Sequence, residues 1–159
     1  MKKILIAVDG SEGSHKAVEF VGRFFSESSD LKITLLHVLP ELPAEIWEEG
    51  HILSGQEKAK RKAAIDNWQD NQKLKTENIY KRALNTLTEN GIEPQQVETK
   101  SNSEFADVAE TILDEARNGG YQVLILGRRG LSNISRFLMG SVTNKVIHHG
   151  TGLTLCIVE

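Results

Sequence analysis

Short apolar runs alternate with longer amphipathic segments along this chain. Two of the runs, residues 4–8 and 123–126, are continuously apolar, which is typical of buried strands in a parallel sheet. Residues 33–38 are mostly apolar and predict another buried strand. Val97 and Thr99 instead alternate with polar neighbours, as expected of a strand at a sheet edge. A last apolar run begins at Leu153 and ends at Val158, so the pattern predicts five strands.

The segments between these runs carry apolar residues at helical spacing. The first predicted helix is capped by Ser11 or Ser14, and its buried face consists of Ala17, Val18, Val21, Phe24 and Phe25. Ser103 is predicted to cap a later helix, whose apolar stripe consists of Phe105, Val108, Ala109, Ile112, Leu113 and Ala116. The last helix is expected to begin near Ser141 and to end at Gly150; its apolar residues are Val142, Val146 and Ile147.

The middle of the chain has a different pattern. Residues 40–56 lack clean periodicity and predict an irregular loop with one helical turn around residues 44–49. Residues 56–89 contain neither Pro nor Gly, which predicts one long helix, or two joined near Asn71, ended by Gly91. Because much of this segment is polar, we expect it to extend beyond the sheet.

Strands that alternate with helices predict a single α/β domain over residues 1–159, with a doubly wound parallel sheet and helices on both faces. Ligands of such sheets bind beyond the carboxyl ends of the strands, where the strand order reverses. Asp9 follows the first predicted strand and Gly127 follows the fourth. These two turns are therefore the candidate site.

Composition and charge narrow the classes of function. The net charge of −3 gives no general attraction to nucleic acid or to an anionic membrane. A single cysteine, Cys156, excludes an internal disulfide and favours a reducing compartment. No apolar run approaches the roughly 20 residues that span a bilayer, and Asp9 interrupts the first run too early for a signal peptide. We expect a soluble cytoplasmic protein.

The candidate site carries a spaced glycine pattern. Two residues separate Gly127 from Gly130, nine separate Gly130 from Gly140, and Ser141 opens a helix. Glycine lets backbone N–H groups approach a ligand, and it adopts a positive φ without strain. We expect both at Gly140: an N–H that faces the phosphates and a positive φ. A helix start offers free N–H donors and the positive end of a dipole, which suits phosphate. The same residues also fit a glycine-rich turn without a ligand.

This spacing resembles the nucleotide-binding signature of the universal stress protein family. The opening segment from Ile4 to Ser11 and the segment from Leu35 to Val38 are similar to that family too. The resemblance implies the strand order 3-2-1-4-5 of an adenine-nucleotide alpha-hydrolase-like, Rossmann-like fold. Members of the family usually have a shorter connection in place of residues 40–78, so this segment is expected to be an elaborated loop and helix insertion within the domain. The resemblance also implies ATP as ligand, with Mg²⁺ or Mn²⁺ held through the phosphates. The expected nucleotide contacts are Ala7, Asp9, Val38, Leu126, Gly127, Arg129, Gly130, Gly140, Ser141, Val142 and Thr143.

Some of these residues have a second interpretation. Asp9 either contacts the adenine side of a nucleotide, as the resemblance favours, or caps the N–H of Gly10 or Ser11. The resemblance implies that Val38 meets adenine through its main chain, although Val38 also fits a core position. The arginines near the glycines, Arg128, Arg129 and Arg136, fit either phosphate pairing or a solvated loop. Ser132, Asn133 and Ser135 fit loop hydrogen bonds.

Other chemistry is disfavoured. His148 and His149 are adjacent on a predicted helix and point about 100° apart, so they do not readily share a metal ion. Cys156 reads as inert core, and Trp47 and Trp68 as packing or interface residues. His37 is expected in a strand near the site. The chain lacks a P-loop, a Gly-x-Gly-x-x-Gly after its first strand and a nucleophile elbow.

We therefore predict an ATP-binding regulatory protein of the stress-response type, without catalytic residues and with at most slow hydrolysis. The first alternative is an ATP-hydrolysing enzyme of the ATP-pyrophosphatase-like type, suggested by the turn at residues 8–11. The second is a nucleotide-free dimeric scaffold. The resemblance implies a homodimer through the last strand, residues 153–158, and we expect the helix at residues 56–78 to cover the nucleotide or widen the dimer contact.

Overall fold

A computed structural model describes residues 2–47, 54–103, 107–131 and 139–159 of the chain. Its strands are β1 (Lys2–Ala7), β2 (Leu31–Leu39), β3 (Val97–Ser103), β4 (Val123–Gly127) and β5 (Leu155–Val158). Its helices are α1 (Glu12–Phe25), α2 (Ala44–Trp47), α3 (Gly55–Glu89), α4 (Val108–Asn118) and α5 (Ser141–His149), with a 3₁₀ turn at Pro94–Gln96. The predicted segments of helix and strand are thus present, and the single helical turn after β2 is α2.

The five strands form one parallel sheet in the order β3-β2-β1-β4-β5, as predicted. Successive strand residues point to opposite faces, so each strand contributes to two cores. Ile4 and Ile6 of β1 pack with α1 and α3 on one face, whereas Leu5 packs with α4 and α5 on the other. Burial of branched side chains on both faces explains why the predicted strands are continuously apolar.

Helix α3 is a single continuous helix of 35 residues. Ser54 caps it, and Glu57 completes a capping box with the Ser54 backbone, a Ser-x-x-Glu signal that the sequence analysis missed. Only its carboxyl half enters the core, through Ala83 and Leu87. The long polar portion therefore continues beyond the part of the helix that contacts the core.

Three local predictions are wrong. Ser103 does not cap a helix but ends β3, paired with Leu39, because Asp107 caps α4 by accepting a hydrogen bond from Glu110 N at 3.0 Å. Phe105 lies outside the described residues. Phe24 is 72% exposed and stacks on Phe20, with ring centroids 4.4 Å apart, rather than facing the sheet.

The third error concerns the start of the last strand. Strand β5 begins at Leu155 instead of Leu153, because Gly150 to Leu153 form a turn in which Leu153 N donates to Gly150 O at 3.1 Å. Gly152 has a φ of +82° there, a conformation that favours glycine. Of the described residues, β5 forms the sheet edge opposite β3.

Candidate functional site

The strand order reverses between β1 and β4, and the predicted site lies at that point. The last paired residues of these two strands are Ile6 and Ile125, and their chains then turn at Asp9 and Gly127. A cavity of about 480 Å³ opens there, a size within the range of small-molecule sites. The predicted contact residues all line this one cavity: Ala7, Asp9, Val38, Leu126, Gly127, Arg129, Gly130, Gly140, Ser141, Val142 and Thr143.

Helix α5 begins at the wall of this cavity. Its N-cap is Gly140, and no side chain caps the helix start in the described part of the chain. Asn144 N donates to Gly140 O at 2.9 Å, which is the first bond of the helix, so the amides of Ser141, Val142 and Thr143 have no carbonyl partner within α5. Three backbone donors and the positive end of the helix dipole thus meet at the cavity, which is the arrangement that attracts an anion.

Gly140 differs from the expectation in two respects. Its φ is −61° and its ψ is 148°, so the expected positive φ is wrong. Its N–H donates to Arg128 O at 3.0 Å, so this amide serves the loop instead of a ligand. Glycine is nevertheless favoured, because a Cβ there would lie 3.2 Å from Arg129 Cα and 3.4 Å from Gly130 N.

Gly127 is a packing glycine as well as a cavity residue. A Cβ at Gly127 would lie 2.2 Å from the carbonyl carbon of Gly13, and a Cβ at Gly13 would lie 2.1 Å from Arg129 O. The end of β4 therefore lies directly against the first turn of α1. Gly13 was missed by sequence reasoning, since its contact with Gly127 spans most of the chain.

Asp9 caps the turn after β1 and also lines the cavity. Its Oδ1 accepts a hydrogen bond from Ser11 N at 2.9 Å, while the residue also lines the cavity. A Cβ on Gly130 would lie 2.6 Å from Asp9 Oδ2, so only glycine fits beside the carboxylate without displacing it. Gly10 has a φ of +81°, which turns the chain away from β1 immediately after Asp9.

The two arginines between Gly127 and Gly130 have different neighbours. Arg128 forms an ion pair with Glu159 at 2.7 Å, and its N–H donates to Val158 O at 2.7 Å. Arg129 lines the cavity. Of the alternatives left open by the sequence, the geometry therefore brings Arg129 to the cavity and leaves Arg128 beside the end of β5. Arg136, Ser132, Asn133 and Ser135 lie outside the described residues.

The opposite end of the cavity is more apolar. The β1–β2 register ends at Ala7 opposite Leu36, and Val8 N donates to Leu36 O at 2.8 Å. The main-chain N–H and C=O groups of successive strand residues point to opposite sides of the strand. Those of Val38 therefore point the same way as those of Leu36, toward β1, but they lie beyond the last residue of β1. Val38 is thus aligned to offer main-chain contacts to a ligand in the cavity. Apolar side chains of Val108, Ile112 and Pro40 also line the cavity.

His37 also lines the cavity, as its position in the sequence suggested. It is 8% exposed, and its Nδ1 lies 2.8 Å from Val8 O, which makes Nδ1 the protonated nitrogen. Its ring meets Tyr80 edge-on, with centroids 6.5 Å apart. The Tyr80 hydroxyl donates to Lys100 O at 2.6 Å, and burial raises the pKa of this hydroxyl.

Helix α3 supplies cavity residues that sequence reasoning missed. Gln72, Lys75 and Ile79 line the cavity, and their i, i+3, i+7 spacing is the signal that indicates a common helix face. Ser14 and Leu131 were missed as well. The sequence led us to expect that residues 56–78 either cover the nucleotide or widen the dimer contact, without indicating which face of the helix turns inward; Gln72 and Lys75 are the residues of this range that line the cavity.

Other candidate groups stay outside the cavity. The described ranges hold no cluster of three or more His, Cys, Asp or Glu suited to a metal ion. His148 and His149 are exposed in the last turn of α5. Cys156 is half-buried in β5, and burial raises the pKa of its thiol, which makes it less reactive. None of the described helices is both long enough and apolar enough to cross a membrane.

Comparison with known families agrees with this architecture. The model of the universal stress protein family matches residues 1–156. The chain belongs to this family. The match covers nearly the whole sequence, including the long α3 segment.

Two universal stress proteins show the sequence relationship. One, from Mycolicibacterium smegmatis, is 27% identical over 149 residues, which are 94% of this chain but 45% of that protein. The chain therefore spans less than half the length of this relative. Universal stress protein YxiE of Bacillus subtilis is 26% identical over 144 residues, 91% of this chain and 90% of its own length.

Solved structures share the fold. Hypothetical protein MJ0577 aligns with a TM-score of 0.68 and 26% identity, over 99% of this chain and 94% of its own. A universal stress protein family member from Arabidopsis thaliana, with AMP bound, has a TM-score of 0.63 and 19% identity over 99% and 91% of the two chains. A universal stress protein in complex with cAMP has a TM-score of 0.61 and 19% identity over 99% and 96%. At 19% identity the last two establish a common fold.

Proposed function

We propose that this universal stress protein binds an adenine nucleotide, ATP in the first place, in the cavity between β1, β4 and α5. The observation that carries the proposal is the uncapped start of α5 at the cavity wall, where the amides of Ser141, Val142 and Thr143 have no partner within the helix. These donors bind the phosphates, and the Ser141 hydroxyl adds a fourth.

The apolar end of the cavity receives the base. Ala7, Leu126 and Val38 supply apolar surface, and the main chain of Val38 offers a donor and an acceptor to the adenine edge. Asp9 lies between this end and the glycine loop and reaches the ribose or base side. The AMP and cAMP complexes of the two fold relatives support an adenine nucleotide as the ligand class.

Magnesium or manganese is expected to enter with the nucleotide rather than alone. Asp9 is the one acidic side chain among the described residues that line the cavity. Mg²⁺ in nucleotide sites is held by one or two carboxylates together with substrate phosphates and waters. A metal bound through the phosphates fits this donor set, whereas an independent metal site does not.

The role that follows is regulatory, with at most slow hydrolysis. Efficient hydrolysis needs a positioned base for the attacking water. Asp9 is the carboxylate at hand, and its Oδ1 already accepts the Ser11 N–H. The protein is thus suited to hold ATP as a signal and to present its occupied state to a partner; a homodimer through β5 and a cytoplasmic location remain proposals alongside this role.

Native mass spectrometry of the purified protein tests the ligand. Bound ATP supports a protein that holds its nucleotide intact. Bound ADP or AMP instead leaves the enzyme alternative open, because the triphosphate has then been either cleaved or never selected. A chain that neither carries nucleotide nor takes up added ATP contradicts the proposal and favours a scaffold.

A further inference from the structure

Helix α3 forms a wall of the cavity that the glycine signature does not include. Gln72, Lys75 and Ile79 lie on one helix face and all line the cavity. Ile79 packs against Gly10, just after the end of β1: a Cβ on Gly10 would lie 3.1 Å from Ile79 Cγ1. This contact positions α3 against the turn that follows β1. Lys75 lies one helical turn further from this anchor.

The charge of Lys75 is available for a ligand. In the part of the chain that the structure describes, Lys75 makes neither an ion pair nor a hydrogen bond. Two lysines elsewhere on the domain are paired instead: Lys100 with Glu115 at 2.6 Å, and Lys145 with Asp107. Lys75 is exposed at the wall of a largely apolar cavity, so its ammonium can pair with an anionic ligand that enters there.

The charges of the described lining residues point the same way. Lys75 and Arg129 contribute two cations, against the single carboxylate of Asp9. A nucleotide carries its negative charge on the phosphates, and ATP carries more of it than AMP. The flexible four-carbon stem of lysine lets the ammonium follow phosphate oxygens across the mouth of the cavity.

We propose that Lys75 is a specificity-determining residue, which favours nucleoside triphosphates over monophosphates by pairing with the distal phosphates. This inference rests on the proposed nucleotide function. In this arrangement α3 covers the bound nucleotide, whose phosphates contact the start of α5 on one side and Lys75 on the other. The preference for ATP comes from α3, while the glycine loop binds any phosphorylated adenosine.

Matched lysine variants test the assignment. Lys75→Gln removes the ammonium and keeps a long polar side chain. Lys73→Gln makes the same change in net charge on the same helix, but Lys73 lines the adjoining groove beside Trp68 and Gln69 instead of the cavity. Calorimetric titration with MgATP, AMP and adenosine is then compared among the wild type and both variants.

We expect Lys75→Gln to weaken ATP binding about three- to tenfold, AMP binding by less, and adenosine binding not at all. Lys73→Gln should leave all three unchanged, and Lys75→Arg should keep the ATP preference. Equal ATP affinity in Lys75→Gln and wild type, or equal losses for all three ligands, would overturn the inference and leave nucleotide binding intact. A wild type that binds no nucleotide would overturn both.

Discussion

The hydroxyl of Thr143 donates a hydrogen bond of 2.9 Å to the carbonyl oxygen of Gly127. This bond joins the first turn of α5 to the end of β4, and Thr143 is 4% exposed. The start of α5 and the glycine loop are therefore held together by a buried contact at a residue that also lines the cavity.

Replacing this hydroxyl should lower the stability of the fold. Thr143→Val keeps the shape of the side chain but leaves the Gly127 carbonyl without its partner, so we expect unfolding free energy to fall by about 1–2 kcal/mol. Urea unfolding measures the loss. The exposed Thr151 offers a control, since Thr151→Val should stay within about 0.5 kcal/mol of wild type; an equal effect at both positions would contradict a structural role for the bond.

Gly127→Ala should destabilise the fold itself. A methyl group at this position would lie 2.2 Å from the Gly13 backbone, and backbone cannot swing aside as a flexible side chain does. We expect a loss of about 2–3 kcal/mol. Gly55→Ala is the matched control, because no atom lies within 4 Å of the added carbon and helix propensity favours alanine. Similar melting temperatures for Gly127→Ala and Gly55→Ala would show that the close approach to Gly13 is absent.

The sequence predicts what depends on local pattern. The continuous apolar runs predict the strands, and the glycine spacing together with the family resemblance predicts the loop at Gly127 and Gly130. Gly13 and Lys75 were missed because their importance arises from contacts with segments distant in the chain. Ser103 was misassigned because two good N-cap residues lie four positions apart, and β3 extends far enough along β2 to include the first. The Gly140 N–H was misassigned because its partner, Arg128 O, lies across an intervening loop.

Stability should depend on pH through Glu115, which is 8% exposed. Burial raises the pKa of this carboxyl, but hydrogen bonds from Lys100, Tyr121 and Asn102 outweigh burial and lower it overall. Because the pKa of Glu115 is lower in the folded than in the unfolded protein, its carboxylate stabilises the fold. This stabilisation is complete above the unfolded-state pKa of about 4.3, and it is lost as the pH falls through the folded-state pKa.

Glu115→Gln should therefore cost about 1–3 kcal/mol at pH 7, and the difference from wild type should shrink at pH 3.5. Urea unfolding at both pH values checks this. Asp114→Asn on the same helix is the control, because its carboxylate is 64% exposed and lies 3.8 Å from Arg117. A Glu115→Gln deficit that is independent of pH would contradict the assignment of charge to this carboxyl.

The proposed dimer uses the edge of β5 that faces away from β4. Leu124 N donates to Thr154 O and Arg128 N donates to Val158 O, so the main-chain groups of Thr154 and Val158 face β4. Because direction alternates along a strand, the N–H of Ile157 faces outward. Proline is tolerated on an edge strand where its missing N–H would point away from the sheet.

We expect wild type to be a dimer at micromolar concentration in light scattering, and Ile157→Pro to be a folded monomer. Circular dichroism checks that the helices and sheet persist in the variant. A wild-type monomer, or a folded Ile157→Pro dimer, would rule out pairing through this edge.

Calorimetric titration of Ser141→Pro with MgATP tests the central claim most directly. Ser141 is the first residue of α5, where proline is favoured, and Gly140 has the extended backbone that a following proline requires. The substitution should therefore preserve the fold while removing both an amide and a hydroxyl donor, whereas Ser141→Ala removes the hydroxyl alone. We expect wild type to bind one ATP per chain, Ser141→Ala to bind somewhat more weakly, and Ser141→Pro to lose about ten- to a hundredfold in affinity. Unchanged ATP affinity in a folded Ser141→Pro protein would contradict a phosphate site at the start of α5.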